Sequence, residues 1–171
     1  MTRATTHRPT AYQDAGLAIV ALISLFLAVA LVLEYAFHME PCALCLTQRL
    51  FFMLAGMVAM LGMVAPTPSR AFPVATAITA LIGVGFALRQ LYLYLLPPEQ
   101  VPACGAPITR LIEYAPFMDV FTAMTQGTGN CAEASFPFLG MNMPGYFIPL
   151  GAFAGYLLIL LLVYRQLQTI R

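Results

Sequence analysis

Residues 15–33 read AGLAIVALISLFLAVALVL, an uncharged run between Asp14 and Glu34. A transmembrane helix requires about 20 mostly apolar residues, and this run has that length. A cleaved signal peptide has a shorter apolar core, about 7–15 residues, and a small-residue cleavage site, and no convincing cleavage site follows here. The run therefore predicts a retained transmembrane helix at about residues 15–34.

Three further apolar runs of similar length predict three further spans. The composition of the whole chain agrees with a membrane protein. Hydrophobic residues make up 61% of the 171 residues and charged residues only 9%, whereas soluble domains have about 25% charged residues. Proline-containing turns separate the runs, since proline does not continue a helix. We expect an all-α membrane protein, a single integral membrane domain over residues 1–171 with transmembrane helices at about 15–34, 43–65, 72–95 and 145–164.

The arginines predict the orientation of this four-helix bundle. With four spans, the two termini and the turn between spans two and three share one side, and arginine favours the cytoplasmic side. We therefore expect cytoplasmic termini and periplasmic loops at about 35–42 and 96–144. The predicted cytoplasmic side has Arg3, Arg8, Arg70, Arg165 and Arg171, and the other side has only Arg110.

The net charge of +1 argues against a nucleic-acid partner.

All four cysteines fall on the predicted periplasmic side or at its membrane edge: Cys42, Cys45, Cys104 and Cys131. The bacterial periplasm is oxidising and the cytosol is reducing, so disulfide chemistry belongs on that side. The orientation comes from the arginines alone, and its agreement with the cysteines is therefore independent support.

The motif PCALC at 41–45 places a dithiol at the start of the second span. Proline suits the beginning of a helix. The unpaired backbone N–H groups there, together with the positive end of the helix dipole, stabilise a thiolate. A thiolate is the nucleophile of disulfide exchange, so Cys42 and Cys45 are candidate redox residues.

Other uses of a C-x-x-C motif fit this chain less well. Covalent haem attachment needs a histidine directly after the second cysteine, where this chain has Leu46. Structural zinc usually requires a second close cysteine pair or added histidines, so we expect no metal site. A purely structural Cys42–Cys45 disulfide remains an alternative, although a bridge at this spacing in a helix is strained, and strained bridges tend to be redox-labile.

Arg49 lies about 6 Å deeper along the helix than Cys45 and, by helical periodicity, on nearly the same face as both cysteines. A charge in the apolar layer is usually functional or snorkels to the interface. Here a guanidinium can donate hydrogen bonds to a quinone carbonyl and stabilise the charge that arrives with electrons. Snorkelling is the alternative, and Arg89 on the third span has the same two interpretations. His38 is interpreted as a surface residue rather than a proton acceptor.

The second cysteine pair lies in the long periplasmic loop. One interpretation of Cys104 and Cys131 is a loop-closing structural disulfide. However, the proline-rich segment PPEQVPACGAP at 97–107 is expected to be extended and to present Cys104 to a partner's groove, and GTGN at 127–130 gives Cys131 freedom to move. Between the two cysteines, residues 116–124 predict a short helix along the membrane interface.

These motifs together resemble the disulfide bond formation protein B (DsbB) family of bacterial inner-membrane thiol oxidases. The resemblance covers almost the whole chain. It comprises four spans, PCALC at 41–45 followed by Arg49, VPAC at 101–104, NCAE at 130–133 and FLGMNMP at 138–144. It implies a quinone-dependent protein disulfide oxidoreductase of the inner membrane.

The resemblance also implies an electron route. A reduced periplasmic DsbA-type oxidant with a thioredoxin fold attacks a Cys104–Cys131 disulfide through Cys104. Exchange with Cys42–Cys45 regenerates that disulfide. The inner pair then reduces ubiquinone or menaquinone, with Cys45 nearest the quinone ring and Arg49 binding it.

One position departs from the family pattern. The family often has a histidine on the third span that is associated with the quinone site, and this chain has Gln90 there, next to Arg89. Glutamine can hydrogen-bond a carbonyl but cannot take up a proton. Gln90 is therefore a second candidate for quinone binding, and the sequence leaves open whether Gln90 or Arg89 contacts the quinone.

Three other functions stay open at this point. A paralogue dedicated to one specific partner would have the same motifs. A membrane assembly or structural protein would have inert disulfides instead. A transporter of reducing equivalents would need cysteines near the cytosolic face, where this sequence has none.

Overall fold

The computed structural model describes residues 10–36, 41–65, 69–102, 110, 113–129, 136–138, 141–143 and 147–169. Its α-helices are α1 (Thr10–Ala36), α2 (Ala43–Val64), α3 (Ala71–Leu95), α4 (Phe117–Gln126) and α5 (Phe147–Thr169). All of these except α4 are long and apolar enough to cross a membrane. The expected all-α membrane bundle with a short helix between its third and fourth spans is confirmed, whereas the sidedness of its termini stays a prediction. A single turn of 3₁₀-helix, Pro98–Gln100, also follows α3.

Three helices extend beyond the ranges that the sequence predicts: α1, α4, and α5, which continues past residue 164 to Thr169. α1 begins ahead of the apolar run, and Tyr12 in this extension is buried, with its hydroxyl 3.5 Å from the Gly62 carbonyl oxygen of α2. α4 continues past Met124 to Gln126 and ends where Gly127 adopts a φ of 82°. A tertiary contact supports the start of α1, and the backbone conformation of Gly127 ends α4. The hydropathy pattern of the sequence indicates neither feature.

A small antiparallel ribbon, which the sequence analysis does not predict, precedes α5. β1 (Phe136–Phe138) pairs with β2 (Met141–Met143), so that Pro137 lies opposite Asn142. Strands of three residues are too short for an alternating pattern to be visible in the sequence. The ribbon belongs to the segment between α4 and α5, so the predicted arrangement of four long helices still holds.

The four long helices form a ring in which α2 packs against α1 and α3, and α5 packs against α3 and α1. Lipid tails are as apolar as the helices, so transmembrane helices associate through close van der Waals packing of small residues. Buried small residues at these contacts include Ala55, Ala59, Ala80, Ala87 and Ala152.

A column of three aromatic rings links α1, α2 and α5 at the centre of the bundle. Phe52 stacks on Phe26 with ring centroids 5.4 Å apart, and on Tyr156 with centroids 4.0 Å apart. Tyr156 is fully buried, and its ring lies directly against Gly83 of α3. A Cβ at position 83 would overlap that ring, so only glycine allows the approach. All four long helices therefore meet around Tyr156.

Replacement of Gly83 by alanine is expected to destabilise the bundle, because the Tyr156 ring must then move away from its stack with Phe52. Overpacking of this kind costs about 1–3 kcal/mol, which thermal unfolding of the detergent-solubilised protein, followed by circular dichroism, would detect.

Gly85→Ala is the matched control for this prediction. Gly85 lies on the same helix, and a Cβ there meets nothing within 4 Å. Alanine is favoured over glycine in a helix by about 0.5–1 kcal/mol, so this variant should be at least as stable as the parent. Equal stability of the Gly83→Ala and Gly85→Ala proteins would contradict the role given to the Tyr156–Gly83 contact.

Candidate redox site at the start of α2

Cys42 is the N-cap residue of α2. Its backbone is extended, with φ −71° and ψ 161°, and its Sγ accepts a hydrogen bond from the backbone N–H of Cys45 at 3.3 Å. The first turn of a helix has backbone donors without helical partners, and its dipole favours negative charge. The Cys42 sulfur therefore occupies a position that stabilises a thiolate, as the sequence predicts.

The two sulfurs of the motif lie side by side, with Cys42 Sγ and Cys45 Sγ 2.7 Å apart. A disulfide bond has a length of about 2.05 Å, so little movement separates this arrangement from a bond. Cys42 is buried in a small apolar cluster with Leu44 and Leu93, whereas Cys45 is partly exposed. One sulfur is thus shielded by the bundle and its neighbour is partly accessible.

A glutamine of α3 contacts both sulfurs. Gln90 Nε2 lies 3.3 Å from Cys45 Sγ and 3.6 Å from Cys42 Sγ. On its other side, Gln90 Oε1 accepts a hydrogen bond from Gln48 Nε2 at 2.9 Å. Both amides are almost completely buried, with 1% of Gln90 and 3% of Gln48 exposed. Gln48 is not among the site residues predicted from the sequence, although a glutamine inside an apolar span is a signal that could have indicated it.

A tyrosine of α5 hydrogen-bonds the backbone of α2 at Gln48. Tyr156 Oη donates a hydrogen bond to the Gln48 carbonyl oxygen at 2.8 Å. The same Tyr156 ring stacks on Phe52 and lies against Gly83. Packing at the centre of the bundle therefore sets the position of α2 at the thiol site.

Arg49 contacts α1, whereas the preceding residue, Gln48, contacts Gln90 of α3. Its guanidinium forms an ion pair with Glu34 and donates from Nη2 to the Ala30 carbonyl oxygen at 3.2 Å. Helical periodicity places Arg49 near the face of the cysteines, but its guanidinium contacts α1, whereas the sulfurs contact Gln90 of α3. Glu34, which the sequence analysis used only as the boundary of a span, thereby becomes a candidate site residue.

Two side-chain hydrogen bonds attach α4 to the start of α2 and the end of α3. Thr47 Oγ1 donates to the Met124 carbonyl oxygen at 2.8 Å, and Arg89 Nε donates to the Gln126 carbonyl oxygen at 3.2 Å. These carbonyls belong to the last turn of α4, where acceptors lack helical partners and a cation is favourable. Arg89 also lies over the ring of Tyr92. Among the described residues, the contacts of Arg89 are therefore those of a helix anchor.

Gly127 ends α4 against the apolar cluster that buries Cys42. Its φ of 82° lies in the left-handed region that favours glycine. A Cβ at this position would lie 2.7 Å from Cδ1 of both Leu44 and Leu93. The chain therefore leaves α4 at the edge of the redox site, four residues before Cys131.

The structure brings together only part of the predicted site. Cys42, Cys45 and Gln90 form one cluster, and Arg49 lies on the neighbouring face of α2. Cys104, Cys131 and His38 lie outside the described residues, so the roles given to them stay predictions.

Comparison with known proteins identifies the family of this chain. A family model described as "Disulfide bond formation protein DsbB" matches residues 13–163. The disulfide bond formation protein B of Hahella chejuensis is 41% identical over 140 residues, which cover 77% of this chain and 84% of the relative. Those of Marinobacter nauticus and Acinetobacter baumannii are 40% identical over 123 residues and 35% identical over 152 residues, covering 70% and 86% of this chain and 73% and 85% of the relatives.

No solved structure matches the chain. The family match nevertheless includes the thiol pair and the greater part of every membrane-length helix. The chain therefore belongs to the DsbB family of disulfide bond formation proteins and is a multi-pass protein of the bacterial inner membrane.

Proposed function

We propose that the protein is a quinone-dependent disulfide oxidoreductase that reoxidises a periplasmic oxidant of the DsbA type. The main support is the geometry of the inner pair, two sulfurs 2.7 Å apart at the start of a membrane-length helix, one of them bonded by a backbone N–H. A thiol pair in this position can act as a nucleophile and can close into a disulfide. The relatives' name, disulfide bond formation protein B, agrees with this class of reaction.

The proposed route moves two electrons and two protons in each turnover. A thiolate of the reduced partner attacks Cys104 of a Cys104–Cys131 disulfide, and Cys131 leaves. The partner's second thiol then releases Cys104, so the partner ends oxidised and the loop pair reduced. The loop thiols reduce a Cys42–Cys45 disulfide by the same two exchanges. A membrane quinone, either ubiquinone or menaquinone, accepts the two electrons and two protons and becomes a quinol.

The attachment of α4 supports exchange between the two pairs. Gly127 contacts the leucines beside Cys42, and Cys131 follows four residues later. Four residues of fully extended chain span at most about 14 Å, which bounds the distance of Cys131 from that contact. In the proposed reaction, α4 therefore tethers the loop pair near the inner pair.

Arg49 fits a quinone oxygen by the chemistry of its donors. A guanidinium has five N–H groups, and the contacts with Glu34 and Ala30 use two of them. The side chain is 20% exposed at the surface of the bundle, where a lipid-soluble ring can approach it. We propose that Arg49 hydrogen-bonds a quinone carbonyl and that Glu34 holds the guanidinium in place.

We also propose that the thiol end of the bundle faces the periplasm and that both termini are cytoplasmic. α4 lies at the thiol end, whereas Tyr12 of α1, Gly62 of α2 and Gln166 of α5 meet at the opposite end. The arginine distribution predicts that this opposite end is cytoplasmic.

Single cysteine replacements should separate the two half-reactions of the protein in lipid with a reduced partner and quinone. Cys104→Ala is expected to block oxidation of the partner. Cys42→Ala and Cys45→Ala should allow at most one equivalent of partner to be oxidised and should abolish quinone reduction, because electrons then have no inner pair to enter. Alkylation of partner thiols and the ultraviolet absorbance of the quinone measure the two steps. Full activity of all three variants would refute the proposed function.

Arg49→Ala is expected to slow quinone reduction about tenfold or more, because a hydrogen bond from a charged donor contributes about 1.5–3 kcal/mol and about 1.4 kcal/mol is tenfold in rate. Exchange with the partner, measured without quinone, should keep its rate. Arg165→Ala, which removes an exposed arginine near the end of α5, is the control. Equal losses in both half-reactions of Arg49→Ala would argue against a quinone contact.

Gly127→Ala is expected to slow exchange between the loop pair and the inner pair, because the backbone at φ 82° and ψ 164° costs a residue other than glycine about 1–3 kcal/mol and the new Cβ meets Leu44 and Leu93. Both effects displace the end of α4 from α2. Rapid alkylation and mass spectrometry after a single turnover measure this step. Gly151→Ala, where a Cβ meets nothing within 4 Å, is the control. An exchange rate equal to that of the control would show that this contact of α4 does not matter.

A further inference from the structure

Two buried glutamines form a chain of hydrogen bonds that ends on the sulfurs of Cys42 and Cys45. Gln48 donates to Gln90, and the Gln90 amide nitrogen lies 3.3 Å from Cys45 Sγ and 3.6 Å from Cys42 Sγ. Burial of an amide is unfavourable unless it is hydrogen-bonded. With only 1% of Gln90 exposed, its amide nitrogen relies on buried acceptors, and the sulfurs are the acceptors that it contacts.

The direction of the Gln90 amide follows from its other partner. Gln90 Oε1 accepts from Gln48 Nε2 at 2.9 Å, which leaves the NH₂ end of Gln90 toward the sulfurs. The backbone N–H of Cys45 also donates to Cys42 Sγ. The sulfur pair therefore faces donors from two directions, and a thiolate gains more from such donors than a neutral disulfide does.

We propose that Gln90 is a catalytic residue of the inner thiol pair, donating a hydrogen bond to its reduced, thiolate form, and that Gln48 is the positioning residue that aims the Gln90 amide. This proposal rests on the proposed function and assigns Gln90 to the sulfurs instead of the quinone. Stabilisation of the reduced form makes the Cys42–Cys45 disulfide easier to reduce, as a stabilised reduced form makes a strong oxidant. The amides thus favour electron flow from the loop cysteines to the inner pair.

A neutral amide suits this position between the sulfurs and the apolar interior. It donates a hydrogen bond without bringing a second charge into the membrane, where an unpaired charge is costly. It also has no protonation equilibrium of its own, so its contribution to the sulfurs does not depend on its own charge state.

The test is the redox equilibrium of the inner pair in the full-length protein, in quinone-free detergent with glutathione buffers. The oxidised fraction of the peptide with Cys42 and Cys45 is read by alkylation and mass spectrometry. Gln90→Leu is expected to lower the equilibrium constant for reduction of the disulfide by about tenfold, which is about 30 mV for a two-electron couple. Gln48→Leu should shift the constant in the same direction by a smaller factor.

Gln90→Met tests the donor directly, because methionine has nearly the same length as glutamine but has no N–H or O–H donor. If Gln90 donates, this variant lowers the equilibrium constant about as far as leucine does. A constant that stays within twofold of the parent in both Gln90 variants would overturn the proposal. The flexible, unbranched methionine keeps the test decisive if the leucine variant fails to fold.

Gln166→Leu is the matched control. Gln166 is likewise a buried glutamine, 4% exposed, and its Nε2 donates to the Tyr12 carbonyl oxygen at 3.2 Å, at the opposite end of the bundle. Its replacement disturbs packing to a similar degree and should leave the redox equilibrium unchanged. An equal shift in Gln166→Leu would show that the effect is general loosening of the bundle and would overturn the assignment to Gln90.

The outcome is separable from that of the proposed function. The glutathione equilibrium requires neither partner nor quinone, so it reports on the sulfurs alone. An active parent protein with unshifted Gln90 variants refutes only the role of Gln90. A parent protein that oxidises no partner refutes the proposed function, whatever the redox equilibrium of its inner pair.

Discussion

The contact between the Tyr156 ring and Gly83 is the constraint on which the rest of the structure depends. It allows α5 to approach α3 closely, while the same ring stacks on Phe52 and its hydroxyl bonds the Gln48 carbonyl oxygen. One rigid side chain of α5 makes all three contacts and fixes the depth and rotation of α2 relative to α3 and α5. Because lipid gives no hydrophobic force between helices, fitted packing of this kind determines their arrangement. The orientation of Gln48 toward α3, and hence the contacts of the sulfurs, follows from it.

Two consecutive residues of α2, one neutral and one charged, contact different neighbouring helices. Gln48 and Arg49 are about 100° apart around the helix, and their side chains contact α3 and α1. The sulfurs thus have a neutral amide as neighbour, while the guanidinium is compensated by Glu34. In the proposed reaction this separation is useful, because a guanidinium beside the sulfurs would pair with a thiolate and be less available to a quinone oxygen.

Sequence patterns predicted the features that depend on local sequence, such as the spans, the dithiol at the start of α2 and the short helix α4. They could not predict side-chain partners, because periodicity gives the face of a residue on its own helix but not the helix that meets this face. Gln48 is, by sequence, one polar residue in an apolar span, and it becomes informative only when Gln90 lies opposite. Arg49 shows a second limit, since periodicity places it near the face of the cysteines but does not indicate that its guanidinium pairs with Glu34 of α1.

The anchors of α4 connect the loop segment to the amides at the sulfurs. Thr47 and Arg89, which bond the last turn of α4, directly precede Gln48 and Gln90 in the chain. A displacement of α4 therefore acts on the backbone of the two residues that hold the thiol contacts. In the proposed relay, a loop pair that arrives from α4 meets an inner pair whose donors are already aligned by the same anchors. The same contacts between α4, α2 and α3 then hold the loop segment and align the donors of the inner pair. Docking of the loop and electron transfer to the inner pair are therefore coupled without a further conformational change.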